Sequence, residues 1–119
     1  MSVVPGLTII VAASDANRFH AALSVAAANS ALGGRSRIFL QAEAAALLVR
    51  PAGQDITRDG LPSLSALIEE AMAVGVEIVA CQSGLALAGL SAESLPQGVT
   101  TSGLIEILAS RGDDQLMMA

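Results

Sequence analysis

Cys81 is the one side chain of this chain whose own chemistry suits nucleophilic attack near neutral pH, and it is the only cysteine. It closes the run Val76-Glu77-Ile78-Val79-Ala80 and is succeeded at once by Gln82-Ser83-Gly84. The run reads as a short buried strand, and Gln82-Ser83-Gly84 reads as the start of a helix. The thiol then stands at the carboxyl end of a strand, where ligands of open α/β sheets gather. Unpaired N–H groups and partial positive charge at a helix N-terminus favour thiolate over thiol. Such a thiol can act as a nucleophile or a sulfur carrier. A buried, inert cysteine fits the same residues, because free cysteine is among the most buried residue types. From the residues alone both readings stand.

If the strands are parallel, their carboxyl ends share one rim, and further polar groups converge there. Ser14, Asp15 and Asn17 come after the first strand, Gln82, Ser83 and Gly84 accompany Cys81, and Thr101 and Ser102 come off the fourth strand. Together they would form a pocket of hydroxyls, one carboxylate and helix-terminal amides around the thiol. Asp15 also stands where an N-cap belongs, so cap and acid are competing roles. His20 falls inside a helix, away from the rim, and no Cys–His dyad can be built from the spacing. Glu69-Glu70 reads as a solvated helix face. One cysteine excludes an intrachain disulfide, a cysteine-based zinc site and a CxxC redox motif. With a single histidine, neither a metal site nor a cofactor is expected. The glycines near Cys81 match no dinucleotide or P-loop fingerprint, and the chain has no lysine to reach a phosphate.

The elements that must position these groups alternate. Leu7 to Ala13 is an apolar, partly β-branched run after Pro5-Gly6, as expected of a strand buried on both faces. An alanine-rich helix comes next over 16 to 32, with Phe19, Leu23, Ala26, Ala27 and Ser30 on one face and Gly33-Gly34 as its stop. Arg37 to Gln41 reads as a second strand, leading into a helical turn over 42 to 49 that ends before Pro51. Residues 50 to 62 are polar with Gly and Pro, and read as a surface connection or a flap near the site.

From Pro62 to Gly75 the period is clearly helical. Leu64, Leu67, Ile68, Ala71 and Met72 point inward, and Ser63 is the N-cap. Val76 to Ala80 is the third strand, and a short helix from Gln82 to Ala88 comes after it. A further helical turn covers 91 to 95. Val99 to Thr101 is a brief fourth strand, and Ser102 caps a last helix with Leu104, Ile107 and Leu108 inward. From Gly112 the tail reads as frayed. Strands alternating with helices predict one α/β domain over residues 1–119, a three-layer α/β/α arrangement with a mainly parallel sheet of four to five strands.

Composition narrows the partners. Hydrophobic residues make up 53% of the chain and charged residues 14%, against about 25% charged in an average soluble protein. The mean hydropathy is +0.63. No run of about 20 apolar residues exists to span a bilayer. The first 13 residues lead into Ala12-Ala13-Ser14 in the manner of a signal peptide's apolar run and cleavage site, but lack its basic leading segment. The expectation is therefore a cytoplasmic homo-oligomer that buries apolar surface against its own copies, not a membrane protein. The net charge of −5 and six scattered arginines exclude the clustered basic footprint of a nucleic-acid binder.

The pattern Val-Glu-Ile-Val-Ala-Cys-Gln-Ser-Gly-Leu from Val76, then Ala-Gly-Leu, Leu-Pro-Gln-Gly-Val and Gly-Leu-Ile-Glu-Ile-Leu, resembles the DsrE/DsrF-like (YchN-like) family. The resemblance covers most of the chain and is most specific between residues 74 and 108. It implies a small α/β/α protein assembled as a trimer or hexamer. Some members are sulfurtransferase subunits that carry a persulfide on a cysteine at the end of this strand, the position of Cys81. In those members an arginine-containing turn comes after the cysteine, where this chain has Gln82-Ser83-Gly84. The resemblance thus implies a sulfur carrier working with sulfur donor and acceptor proteins. The alternative is a non-catalytic oligomer of the same fold that binds a small ligand or serves as a scaffold.

Overall fold

The computed structural model describes residues 4–49 and 63–119. The polar stretch 50–62, expected as a surface connection or a flap, lies outside the described residues. Leu7–Val11 forms β1 with every residue buried, as a continuous apolar run between two strand neighbours requires. Asp15 then caps α1, Ala16–Ala31, by accepting from the backbone N–H groups of Asn17 and Arg18. Gly33, at φ +96°, takes the left-handed turn that ends it. Ser36–Leu40 is β2, also fully buried. A 3-10 turn, Ala42–Ala45, runs into α2, Ala46–Val49. Ser63 caps α3, Leu64–Ala73, and Leu64, Leu67, Ile68 and Ala71 are buried as their helical spacing predicts.

Glu77–Cys81 is β3 and passes directly into α4, Gln82–Leu87. A 3-10 turn at Ala92–Ser94 leads to β4, Thr100–Ser102, one residue later than expected. Next come α5, Leu104–Ala109, and β5, Gln115–Met118. The five strands are all parallel, in the order β4-β3-β2-β1-β5, with helices on both faces. This is the expected α/β architecture at its upper strand count. Among the described residues no helix is long and apolar enough to cross a membrane.

Topology explains the two helical layers. The chain steps from β1 through β4 in one direction, and α1 and α3 pack on each other on one side of the sheet. From β4 it returns across the whole sheet to β5, and a right-handed crossover in the reversed direction must use the opposite side. Hydrogen bonds identify the two sides. Asn29 of α1 donates to Ser36 Oγ at 3.1 Å, whereas the neighbouring Arg37 donates to the Ile107 carbonyl of α5 at 3.0 Å. The core between these layers includes Phe19, Leu23, Ile9, Ile38 and Phe39, all sealed from solvent. Each large apolar side chain of this kind contributes about 1.5–3 kcal/mol by leaving water.

Arg37 is the unusual member of that core, only 6% exposed. Besides Ile107 O it donates to Ser110 Oγ at 2.9 Å and to Thr8 Oγ1 at 3.5 Å. Its guanidinium thus meets the last turn of α5, where unpaired carbonyls carry partial negative charge. A buried cation is tolerated here because it fastens that helix to the sheet.

Three expectations need correction. The tail is not frayed: β5 pairs in parallel with β1 from Leu7↔Gln115 to Ile10↔Met118. Ser102 does not cap α5. The N-cap is Gly103, without a side-chain bond, and Ser102 Oγ donates to the Glu106 carboxylate at 3.0 Å instead. Leu108, expected inward, is 43% exposed, so Ile107 alone of that helix is fully in the core.

Candidate functional site

Cys81 ends β3 and caps α4 at the same time. Strand and helix meet with no loop between them, so the side chain is held by both elements. It is 7% exposed, and its Sγ accepts the Gly84 backbone N–H at 3.4 Å. The sulfur is thus held in place by a backbone donor from the first turn of α4.

The geometry around it depends on Gly84. A side-chain carbon at Gly84 would overlap the backbone of Ala42, whose carbonyl packs against the glycine. Ala42 itself holds φ +51°, a left-handed conformation that disfavours any residue with a Cβ. The loop after β2 is therefore part of the rim. Ala12, Ala42, Glu43, Gly84, Leu87 and Ala88 line a mainly apolar cleft of about 340 Å³ across the ends of β1, β2 and β3. Sequence reasoning missed Ala42 and Glu43 because it collected the rim from strands one, three and four. The signal was present in the rule itself, since β2 also ends at that rim.

The expected pocket residues do not all converge. Cys81 and Ser102 are register partners, so their side chains share the side of the sheet that carries α5. Thr101 falls on the alternate face, and Gln82 Nε2 donates to its Oγ1 at 3.4 Å. Those two line a separate cavity of about 200 Å³ with Leu85 and Leu90. Ser83 is exposed. Asp15 serves as the cap: its Oδ1 accepts from Asn17 N at 2.9 Å and Arg18 N at 3.2 Å, and its Oδ2 pairs with Arg18 at 3.8 Å. Ser14 and Asn17 are exposed and line neither cavity. What surrounds the thiol closely is thus Gly84, Ser102 and, through Gly84, Ala42.

Solved structures share this architecture. The YchN protein of E. coli superposes with a TM-score of 0.74 at 19% identity, over 97% of this chain and 99% of that one. A protein of unknown function from Methanobacterium thermoautotrophicum, MTH1491, gives 0.75 at 16% identity, with the same coverage. A conserved protein of unknown function from Bacteroides thetaiotaomicron, BT1422, gives 0.66 at 17% identity over 94% of each chain. At such identities the likeness is one of fold. No curated protein matches the chain. The family model that matches, over residues 7–115, is that of the DsrE/DsrF-like proteins, and the chain belongs to that family.

Proposed function

We propose that this protein carries sulfane sulfur on Cys81 as a persulfide, in cytoplasmic sulfur transfer between donor and acceptor proteins, working as a homo-oligomer. The Cys81 thiolate attacks the outer sulfur of a donor persulfide, R–S–SH. A new sulfur–sulfur bond forms at Cys81, the donor's bond breaks, and R–S⁻ leaves to take up a proton. In the return step an acceptor nucleophile attacks the outer sulfur and the Cys81 thiolate departs. Neither step needs an oxidant or reductant. The observation that carries this reading is the position of Cys81, at the carboxyl end of β3 with the Gly84 N–H on its sulfur. Membership of a family with sulfur-relay members supports it.

The test is the intact mass of the native protein before and after incubation with a persulfide donor, with Cys81→Ser alongside. A gain of about 32 Da for one added sulfur, absent from the variant, is the expected result. Loading that persists in Cys81→Ser would sink the proposal.

The burial of Cys81 favours one competing reading. The thiol does not line the 340 Å³ cleft, whose walls are mainly apolar. A small ligand held there without covalent chemistry would bind equally well to Cys81→Ala, and that outcome would select this reading.

A further inference from the structure

We infer that the groove between β4 and α5 holds a free α-amino acid by its zwitterionic head, with the side chain directed at Cys81, so that cysteine persulfide can load the thiol as well as a donor protein. The choice of side chain rests on the persulfide reading; the zwitterion site does not. Arg37 carries the argument. Its guanidinium is buried and donates to Thr8, Ile107 and Ser110. Among the described residues it forms no ion pair, and its Nε–H has no partner. Charged side chains are almost never buried this deeply unless paired. The last turn of α5 offers only partial negative charge. Beside the guanidinium lies a cavity of about 180 Å³, walled by Arg37, Glu77, Thr100, Ser102, Glu106 and Ser110 among others. The missing anion belongs there.

Two carboxylates decide what kind of anion. Glu77 is the register partner of Arg37, so it stands on the same side of the sheet, one strand away. It is exposed and makes no hydrogen bond or ion pair among the described residues. Glu106 accepts from Ser102 Oγ at 3.0 Å and likewise forms no ion pair there. A simple inorganic anion would meet two like charges on its way to Arg37. A cation alone would leave Arg37 uncompensated. A carboxylate and an ammonium on neighbouring carbons satisfy both signs, the carboxylate at Arg37 and the ammonium at the glutamates. That pair is the head of an α-amino acid. The hydroxyls of Thr100, Ser102 and Ser110 serve either group, since each can donate and accept.

Register aims the side chain. Glu77, Val79 and Cys81 alternate onto one face of β3, as Thr100 and Ser102 do on β4, and Val79↔Thr100 and Cys81↔Ser102 are partners. The groove therefore runs from Glu77 up to Ser102, where it ends beside the thiol. Glu77 and Cys81 are about 13 Å apart along the strand. An amino acid seated over Val79 thus brings its side chain to the sulfur, whereas a longer peptide would overrun the groove. Val79 and Ile107 wall the middle stretch, which suits an uncharged sulfur chain.

The transfer balances as it does for any persulfide donor. The Cys81 thiolate attacks the outer sulfur of cysteine persulfide, a new sulfur–sulfur bond forms as the old one breaks, and cysteine thiolate leaves to take up a proton. The head of the ligand stays on Arg37 and the glutamates throughout, so the site holds the leaving group in place as well as the donor.

Binding is tested in the full chain carrying Cys81→Ser, titrated with S-methyl-L-cysteine while nuclear magnetic resonance follows the Nε–H of Arg37. A saturable shift is expected. Affinity should fall about ten-fold or more when the ligand lacks its carboxylate or its ammonium, the size of one lost charge-assisted hydrogen bond. Glu77→Gln, at an exposed position, should weaken the amino acid to a similar degree. No shift would overturn the inference, and so would equal binding of the ligand without its ammonium, which marks a plain anion site. Loading of the wild-type chain is then followed by intact mass. The rate with cysteine persulfide should saturate and be slowed by L-alanine, whose side chain stops short of Cys81, while loading from inorganic polysulfide should ignore alanine. If alanine slows neither, the donor assignment falls and the persulfide reading stands. If S-methyl-L-cysteine binds but neither donor loads Cys81, the persulfide reading falls and the amino-acid site stands.

Discussion

Cys81 draws its setting from two residues that carry no reactive group. The backbone of Ala42 occupies the space a side chain at Gly84 would need, and Gly84 supplies the N–H that meets the sulfur. Gly84→Ala should therefore cost about 3 kcal/mol, the upper end of what overpacking costs. Gly89 is the control: it holds φ +70° with open space around it. Gly89→Ala should cost only about 1 kcal/mol, because the left-handed penalty is offset in part by a stiffer unfolded chain. Urea denaturation of the two variants compares them, and equal losses would show that Ala42 and Gly84 are not in contact. Ala42→Gly reverses the sign. It relieves a left-handed penalty of about 1–2 kcal/mol and gives back about 0.4–1 kcal/mol in the unfolded state. The variant should be more stable than wild type by about 0.5–1 kcal/mol, and a loss of stability would argue against φ +51° at this position.

At the level of elements, β1 to β3 and α3 are legible in the sequence for physical reasons. Parallel strands buried on both faces must be continuous apolar runs, and Leu7–Val11 and Glu77–Cys81 come close to that. The spacing from Leu64 to Ala71 fits only a helix. β5 is not legible: Gln115–Met118 is four residues long, without a β-branched side chain. Its strand conformation comes from partners about a hundred residues away. Asp114 accepts from Thr8 Oγ1 at 3.0 Å and pairs with Arg35, and a side chain at Gly6 would overlap its carboxyl group. No local pattern encodes that lock. The same is true of the Ala42–Gly84 contact, which depends on knowing that β2 lies beside β3. Asp114→Ala should cost about 2 kcal/mol, in the range for lost hydrogen bonds to a charged group. Hydrogen exchange locates the effect. The Gln115 and Ala119 amides should exchange faster while those of β2 and β3 hold, and uniform acceleration would deny Asp114 its role as the anchor of β5.

At the scale of the whole molecule, composition and structure agree that apolar surface is left over. A chain with 14% charged residues has too little polar surface to cover one copy, and Ile105, Leu108, Leu116 and Met118 lie exposed on one side of the sheet. The opposite edge strand, β4, is built from Thr100, Thr101 and Ser102 and tolerates water. Leu87, Leu32 and Val74 are exposed as well, so the burial that the composition demands is spread over more than the β5 side. If copies associate there, part of the stability of each chain is linked to concentration, because a partner that binds only the folded state shifts unfolding by mass action. The thermal midpoint should fall as the protein is diluted about a hundred-fold, which calorimetry at several concentrations measures. A midpoint that ignores dilution in the wild-type chain would mean that one copy holds its full stability alone, with its apolar edge open to solvent.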